Sequence, residues 1–236
     1  MKAVILAAGK GSRISEITKT IPKPMIQYQG KPILEYNVEL CKRSGVSDLF
    51  INTHHLPEKI KTYFGDGKKF GVNIQYSFEP EILGTASGLV NFKDVLQGES
   101  FFVVYGDNFS DFDLLSLKKK ANISNAMAVI GFHHREDVSA SGVAEFDENG
   151  KVLKFIEKPL PGQTESHWVN AGIYYLNPEI FRAIPEKYSD FGRDIFPMLL
   201  RNEVSIYGVC LDSKVQAFDT PEMLSDNQID YNDFKK

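Results

Sequence analysis

The sequence contains little of what marks several protein classes. Its 236 residues include only two cysteines and one tryptophan, and the formal net charge is −4. Cys41 and Cys210 fall in segments predicted to be a buried helix and a buried strand, so we expect two core thiols in a reducing cytoplasm and no zinc site. The lack of a basic excess argues against a general nucleic-acid binder, although a few cations in one cleft would still attract an anionic substrate.

Long apolar runs are also missing. No stretch approaches the roughly 20 apolar residues that span a bilayer. The N-terminal apolar run, residues 3–8, breaks at once into Gly-Lys-Gly-Ser-Arg without a signal-peptide cleavage site. We therefore expect a cytoplasmic protein with no membrane partner. No low-complexity linker or internal repeat interrupts the chain, which predicts one domain over residues 1–236.

Strands and helices alternate along the first half of the chain. Apolar strands are predicted at residues 3–8, 48–52, 73–78 and 101–105, with helices between them, which is the pattern of parallel βαβ units. From Ala126 the pattern changes to successive strands, with Asn149-Gly150 as a hairpin signal. We predict an α/β fold with a single doubly wound mixed sheet, mostly parallel, and helices on both faces. Its halves are residues 1–125 and 126–236.

The most informative segment is the glycine-rich loop after the first strand. Two glycines spaced by one residue, Gly9 and Gly11, let backbone N–H groups approach an anion, and Lys10 and Arg13 add positive charge. A dinucleotide fingerprint would need a third glycine at the position of Ile14, and no Walker Lys-Ser pair follows. The loop therefore suits a phosphate group, with a simple strand-to-helix turn as the alternative.

Together with Pro22-Lys23-Pro24, this loop resembles the signature of the sugar-1-phosphate nucleotidyltransferases, and the length resembles the short bacterial mannose- or heptose-1-phosphate guanylyltransferases. The resemblance implies a Rossmann-like, GT-A-like fold, and Lys23 between the α-phosphate and the incoming phosphate. It implies nucleotide contacts from Leu6, Ala8, Gly9, Gly11, Ser12, Arg13, Glu79, Gly84 and Thr85. The loop, the Gly84 segment and Asp107 all follow predicted strand ends, so we expect them to share one cleft.

A magnesium site is predicted at Asp107, which follows an apolar strand and one glycine. Mg²⁺ takes one or two protein carboxylates together with phosphates and water. A turn or helix-capping aspartate is the alternative. In the family the second ligand is the first aspartate of Asp-x-Gly-Thr-Pro-Glu, whereas this chain has Ala217-Phe-Asp219-Thr-Pro-Glu. Residues two apart on a strand face the same side, so Asp219 could serve from a shifted position. Asp111 and Asp113 resemble the Asp-x-Asp metal motif of glycosyltransferases, but we do not interpret them as metal ligands.

Two further motifs resemble the substrate-binding parts of the family. The turn Leu83-Gly84-Thr85-Ala86 lies against the nucleotide base in the family, and a carboxylate at Glu79 would accept the N1–H and N2–H donors of guanine. This slightly favours GTP, with a solvated loop position as the alternative for Glu79. The resemblance implies sugar or sugar-phosphate contacts from Tyr105, Gly106, Gly142, Glu157, Lys158, Asn170, Ala171 and Gly172.

The resemblance predicts an enzyme that joins a nucleoside triphosphate to a hexose or heptose 1-phosphate and releases pyrophosphate. Its catalytic residues would be Arg13, Lys23, Asp107 and Lys158, with Mg²⁺ as cofactor on Asp107 and Asp219. One alternative keeps the chemistry but uses UTP or CTP, with a sugar or alcohol phosphate. Another is a non-catalytic nucleotide-sugar-binding regulatory subunit. We expect small-molecule substrates, no nucleic acid, and a monomer or homodimer.

Overall fold

A computed structural model describes residues 1–211 and 215–229. Strands β1 to β13 are, in chain order, Lys2–Leu6, Gln27–Tyr28, Lys31–Pro32, Asp48–Thr53, Asn73–Phe78, Phe101–Tyr105, Asn108–Ser110, Ala128–His134, Gly142–Phe146, Val152–Glu157, Trp168–Leu176, Ile206–Cys210 and Val215–Ala217. Helices α1 to α8 are Ser15–Thr18, Ile33–Arg43, Pro57–Phe64, Gly84–Ser87, Lys93–Leu96, Leu114–Ser124, Phe196–Arg201 and Pro221–Asp226. Short 3₁₀ helices cover Ser12–Ile14, Lys23–Met25, Lys68–Phe70, Gly88–Phe92 and Pro178–Arg182, and a π-helix covers Phe191–Ile195.

The chain divides into two compact units, each assembled from separate stretches of sequence. Unit 1 holds Met1–Ile82, Val104–Asp111 and the described residues 215–229. Unit 2 holds Leu83–Val103 and residues 112–211. The prediction of one domain with halves at 1–125 and 126–236 remains a prediction.

Unit 1 is built on a parallel sheet. The order of strands is β6-β1-β4-β5, where β6 contributes its end, Val104 and Tyr105. The register pairs Leu6 with Asn52 and Thr53 with Phe78, so the strands end at the same edge. In β1, residues 3–5 have no exposed surface, as expected of a parallel strand covered on both faces.

A second, very short ladder in unit 1 joins distant parts of the sequence. β13 runs antiparallel to β7, with Val215 opposite Ser110 and Ala217 opposite Asn108. Phe218, the next residue, is fully buried in a small apolar core. That core is formed by Ile14, Ile17, Ile26, Tyr28, Ile33, Phe218, Leu224 and Ile229. It fixes the residues that follow the glycine loop and those that precede α8 in one packed cluster.

Unit 2 has a mixed sheet. β11 is antiparallel to both β8 and β9, β9 is antiparallel to β10, and β12 is parallel to β8. The predicted hairpin at Asn149-Gly150 connects β9 and β10. Parallel and mixed strand pairing with flanking helices confirms the predicted mixed α/β fold.

Several local expectations are corrected by the structure. Cys41 is buried as expected, but Cys210 is exposed, because it lies at the last position of β12. The helix expected between the strands at 73–78 and 101–105 is instead a 3₁₀ segment between two single-turn helices. The N-cap of α6 is Asp113, whose carboxylate accepts the N–H of Leu115 at 3.0 Å.

Among residues 1–211 and 215–229, no helix is long and apolar enough to cross a membrane.

Candidate functional site

The glycine loop leaves β1 at Leu6 and turns sharply at Gly11. The φ angle of Gly11 is +63°, and a Cβ added there would lie 2.6 Å from the Cγ2 of Thr18. The hydroxyl of Thr18 donates to the Gly11 carbonyl at 3.2 Å, which holds the turn closed. Gly9 is exposed and has no atom within 4 Å of an added Cβ. The loop therefore needs glycine at position 11 and leaves open space at position 9.

Lys23 is the centre of a buried charge cluster in unit 1. Its Nζ atom lies 2.6 Å from Asp107 Oδ2 and 2.5 Å from Asp219 Oδ1. Arg13, on the glycine loop, places Nη2 2.9 Å from the same Oδ1 atom of Asp219. The Lys23 side chain is only 4% exposed. Burial by itself would lower the pKa of Lys23, but the negative charges of Asp107 and Asp219 outweigh it and raise the pKa above its ordinary value.

The short ladder between β7 and β13 explains how these side chains meet. Asp107 precedes β7 by one residue and Asp219 follows β13 by two, so antiparallel pairing brings both to the same end of the ladder. Buried Phe218 packs edge-on against Tyr28, with ring centroids 5.2 Å apart, and fixes the backbone beside Asp219. Ala217, which stands where the family has its aspartate, is paired with Asn108 in the ladder.

Asp107 and Asp219 suit a divalent cation. Their carboxylates converge on one nitrogen, and hard oxygen ligands from one or two carboxylates are what Mg²⁺ takes when phosphates complete its shell. In the part of the chain that the structure describes, no group of three or more His, Cys, Asp or Glu residues could hold a metal. Two carboxylates are fewer oxygen ligands than a divalent cation takes, so phosphate and water would have to supply the rest. Lys23 and Arg13 together supply two positive charges against the two carboxylates.

Glu79 lies just beyond β5 and is almost fully buried, with 1% of its surface exposed. Its Oε1 atom accepts from the Nδ2 of Asn52 at 2.7 Å, and its N–H donates to the Thr53 carbonyl at 2.8 Å. Sequence reasoning did not single out Asn52. The available signal was a polar residue near the end of the apolar strand β4. Its register partner in β1 is Leu6, the residue at which the glycine loop leaves the strand.

Unit 2 holds Glu157 against glycine backbone. A Cβ added at Gly142 would lie 2.8 Å from the Oε2 of Glu157, and one added at Gly192 would lie 2.3 Å from the same atom. Burial raises the pKa of Glu157, Lys158 and Arg193 oppose the shift, and Asp190 adds to it. The next residue, Lys158, is exposed and has a φ of +52°. A non-glycine residue in this region is uncommon and often marks a functional position.

Asn170, Ala171 and Gly172 form an irregularity in β11. Pairing with β8 is interrupted between Asn170 and Tyr174, and Gly172 has a φ of +69°. The Oδ1 atom of Asn170 accepts the Gly172 N–H at 2.9 Å, while its Nδ2 donates to the Tyr174 hydroxyl at 2.8 Å. Both the oxygen and the nitrogen of the Asn170 side-chain amide are therefore hydrogen-bonded. The bulge changes the local direction of the strand.

The Gly84-Thr85 turn is held by a residue that sequence reasoning missed. Asp190 accepts from both the N–H and the hydroxyl of Thr85, at 3.0 and 3.1 Å. Gly84 has a φ of +85°, and a Cβ there would lie 2.4 Å from the Ser189 carbonyl oxygen. A glycine is therefore required where the turn meets the segment that begins the π-helix.

The structure brings the predicted residues together in separate groups. Unit 1 contains Leu6, Ala8, Gly9, Gly11, Ser12, Arg13, Lys23, Glu79, Tyr105, Gly106, Asp107 and Asp219. Unit 2 contains Gly84, Thr85, Gly142, Glu157, Lys158, Asn170, Ala171 and Gly172. Within unit 1, Arg13, Lys23, Asp107 and Asp219 are in direct contact. The expectation of one shared cleft remains a prediction, and so do the individual roles.

The fold and this loop define an α/β protein with a glycine turn beside an acidic pair. A family model described as nucleotidyl transferase matches residues 2–215. The chain therefore belongs to the nucleotidyl transferase family.

Similar proteins agree with this assignment. The UTP–glucose-1-phosphate uridylyltransferase of Synechocystis sp. is 41% identical over 90% of this chain and 58% of that protein. The D-glycero-alpha-D-manno-heptose 1-phosphate guanylyltransferase of Campylobacter jejuni is 35% identical over 80% of this chain and 82% of that protein. The crystal structure of HddC from Yersinia pseudotuberculosis superposes with a TM-score of 0.81, covers 99% of both chains and is 23% identical, which shows the same fold. The chain thus spans well under two thirds of the Synechocystis relative's length.

Proposed function

We propose that the protein transfers a nucleotidyl group from a nucleoside triphosphate to a hexose or heptose 1-phosphate. The products are a nucleotide sugar and pyrophosphate. The observation that carries the proposal is the contact of Lys23 with Asp107 and Asp219, next to the arginine of a glycine-rich loop. Such a cluster supplies both the cations that bind polyphosphate and the carboxylates that bind a divalent metal.

The reaction needs little acid or base catalysis. An oxygen of the sugar phosphate, already ionised at neutral pH, forms a bond to the α-phosphorus, and the bond from that phosphorus to the β-phosphate bridging oxygen breaks. Charge neutralisation and alignment then dominate the rate. In this proposal the N–H groups of Gly9 and Gly11 and the guanidinium of Arg13 bind the triphosphate, with Lys23 at the α-phosphate.

Asp107 and Asp219 would hold Mg²⁺. When bound, the metal neutralises charge on the triphosphate and on the departing pyrophosphate. Lys23 has to leave at least one of the two carboxylates to make room, and the phosphate groups of the nucleotide offer it a replacement anion.

The sugar phosphate is assigned to residues of unit 2. Glu157 would accept hydrogen bonds from sugar hydroxyls, and Lys158 would bind the phosphate. The bulge at Asn170 to Gly172 would contact the sugar ring, and Gly142, which is buried beneath Phe155 and Glu157, would leave room for the Glu157 carboxylate. The observation that supports this assignment is the position of the Glu157 carboxylate, which packs against Gly142 and Gly192, where an added Cβ would lie 2.8 and 2.3 Å from its Oε2.

GTP is the preferred nucleotide in this proposal. Glu79, the residue that suggested guanine in the sequence, is 1% exposed and accepts from Asn52 through Oε1, so the support for GTP is the name of a relative. The Campylobacter jejuni relative is named as a guanylyltransferase. UTP is the second candidate, because the 41% identical Synechocystis relative is named as a uridylyltransferase.

The test is pyrophosphate release from purified protein with Mg²⁺, each of the four nucleoside triphosphates, and a panel of sugar 1-phosphates. We expect release that requires both substrates and is fastest with GTP. Release with UTP alone would replace the base assignment and keep the reaction. Tight nucleotide-sugar binding without any release would indicate a regulatory subunit and overturn the proposal.

Cytoplasmic location and a monomeric or homodimeric state complete the proposal. Size-exclusion chromatography with light scattering tests the second point, and a larger assembly would contradict it.

A further inference from the structure

The peptide that joins β1 to the glycine loop is anchored on both sides. Its carbonyl, on Leu6, accepts the N–H of Gly106 at 2.9 Å. Its N–H, on Ala7, donates to the Oδ1 of Asn52 at 2.8 Å. Gly106 directly precedes Asp107, so one peptide group connects the start of the loop to the backbone beside the acidic pair. Asn52 provides the only side chain in these two contacts.

The orientation of the Asn52 amide is set by Glu79. Asn52 is 2% exposed, and its Nδ2 donates to Glu79 Oε1 at 2.7 Å. Because this carboxyl oxygen accepts the hydrogen bond, the NH₂ end of the amide faces Glu79. The amide oxygen is then directed at the Ala7 N–H. Glu79 is itself fixed by its own backbone, since its N–H donates to the Thr53 carbonyl.

We infer that Asn52 is a positioning residue for the phosphate-binding loop, with Glu79 fixing the orientation of its amide. The inference rests on the proposed function only in assigning triphosphate to this loop. Without Asn52 the buried Ala7 N–H loses its partner, and the peptide is held only through its carbonyl, by the Gly106 N–H. The loop N–H groups that follow it would then no longer hold one geometry, and small errors in position strongly reduce binding and rate.

This role makes a prediction different from direct base reading by Glu79. Replacing Glu79 with Gln keeps an oxygen that can accept from Asn52, so the anchor at Ala7 persists. If Glu79 instead reads the base, the same change converts one acceptor into a donor and alters the preference between GTP and UTP. The two roles are therefore separated by one conservative substitution.

The experiment compares Asn52→Leu with Thr53→Val and Glu79→Gln. Thr53 is the neighbouring residue of β4, is fully buried, and loses one hydrogen bond, to the Ser77 carbonyl, when changed to Val. It makes no contact with Ala7 through that hydroxyl, so it is a matched control. Amide hydrogen exchange at Ala7 is measured by NMR, together with Kd for inorganic tripolyphosphate, GTP and UTP by calorimetry.

For Asn52→Leu we expect Ala7 to exchange at least about tenfold faster than in Thr53→Val, and the affinities for all three ligands to fall about tenfold by a common factor. Glu79→Gln should keep Ala7 protected. A folded Asn52→Leu protein with unchanged Ala7 exchange, or with an altered GTP to UTP ratio and unchanged tripolyphosphate binding, would overturn the inference. If Asn52→Leu does not fold, Asn52→Ser is used, since serine is too short to reach both partners, and the same outcomes decide.

Failure of the proposed function is seen separately. Wild-type protein that binds tripolyphosphate but releases no pyrophosphate from any substrate pair would remove the function and leave the positioning role of Asn52 standing. Wild-type protein that does not bind tripolyphosphate at all would remove both.

Discussion

The two units treat a buried charge in opposite ways. In unit 1 the ammonium of Lys23 is buried between two carboxylates, which raise its pKa against the effect of burial. In unit 2 burial raises the pKa of Glu157 and so opposes its charge, with Lys158 and Arg193 acting against the shift. The first arrangement favours the charged form of Lys23. The second disfavours the ionised form of Glu157, whose carboxyl group lies against the backbone of Gly142 and Gly192.

The largest effect is expected from breaking the charge cluster of unit 1. Asp107→Asn removes one of the two negative charges that face Lys23 and one predicted metal ligand. We expect turnover, measured as pyrophosphate release, to fall about 10²-fold or more. Asp113→Asn is the control, because Asp113 caps α6 and Asn is an equally good N-cap. Equal rates in the two variants would contradict the role given to Asp107.

The next effect concerns metal affinity in the absence of nucleotide. Lys23→Met leaves two carboxylates without their shared cation, so a divalent ion should bind more tightly, by about tenfold, even though turnover falls. Titration with Mn²⁺ followed by electron paramagnetic resonance measures this directly. Lys19→Met is the matched control, since Lys19 pairs with Glu16 at an exposed position. Unchanged or weaker Mn²⁺ binding in folded Lys23→Met would show that the lysine does not compete with metal.

A smaller effect is expected in unit 2 from Gly192→Ala. The added Cβ would lie 2.3 Å from the Oε2 of Glu157, so the carboxylate must shift. We expect the KM for the sugar 1-phosphate to rise a few-fold, on the order of fivefold, with the KM for the nucleotide unchanged. Gly98→Ala is the control, because nothing lies within 4 Å of an added Cβ there. A rise in the KM for the nucleotide alone would contradict the assignment of Glu157 to the sugar 1-phosphate site.

The smallest effect is a dependence of stability on pH. Because the pKa of Glu157 is raised by folding, the contribution of this group is most favourable when it is protonated, below its unfolded pKa. That contribution is lost as the pH rises through the folded pKa. Glu157→Gln should therefore gain stability relative to wild type between pH 4 and pH 8, as measured by urea unfolding. Glu145→Gln, on the neighbouring strand β9, is the control; the same trend in both variants would contradict the assignment.

Much of the fold could be predicted because its signals are local. The buried strand before Gly9, the Asn149-Gly150 hairpin and the helix that begins at Pro57 each follow from a short stretch of sequence, and each is present. The strand β7 and its pairing with β13 could not be found in this way. Three residues are too few to show an alternating pattern, and the ladder pairs segments about one hundred residues apart.

The residues of the candidate site also differ in whether a local sequence signal identifies them. Arg13, Lys23, Asp107 and Glu157 were identifiable from their motifs, whereas Asn52 and Asp190 carry no motif. Asn52 acts on Ala7 and Glu79, and Asp190 acts on Thr85, all at large separations in sequence. A polar residue at the end of a strand is common, and only its buried partners distinguish it from a solvated one.

The sequence alone determined the class of fold, the turn at Gly11 and the types of residue available to bind phosphate and metal, because backbone preference and hydrophobic pattern act over a few residues. Tertiary structure decided which of those residues touch. Asp219 reaches Lys23 only through the pairing of β13 with β7, and Asn52 meets Ala7 only through the register of β1 and β4. Register and packing depend on the whole chain closing around its core, so no local pattern encodes these contacts.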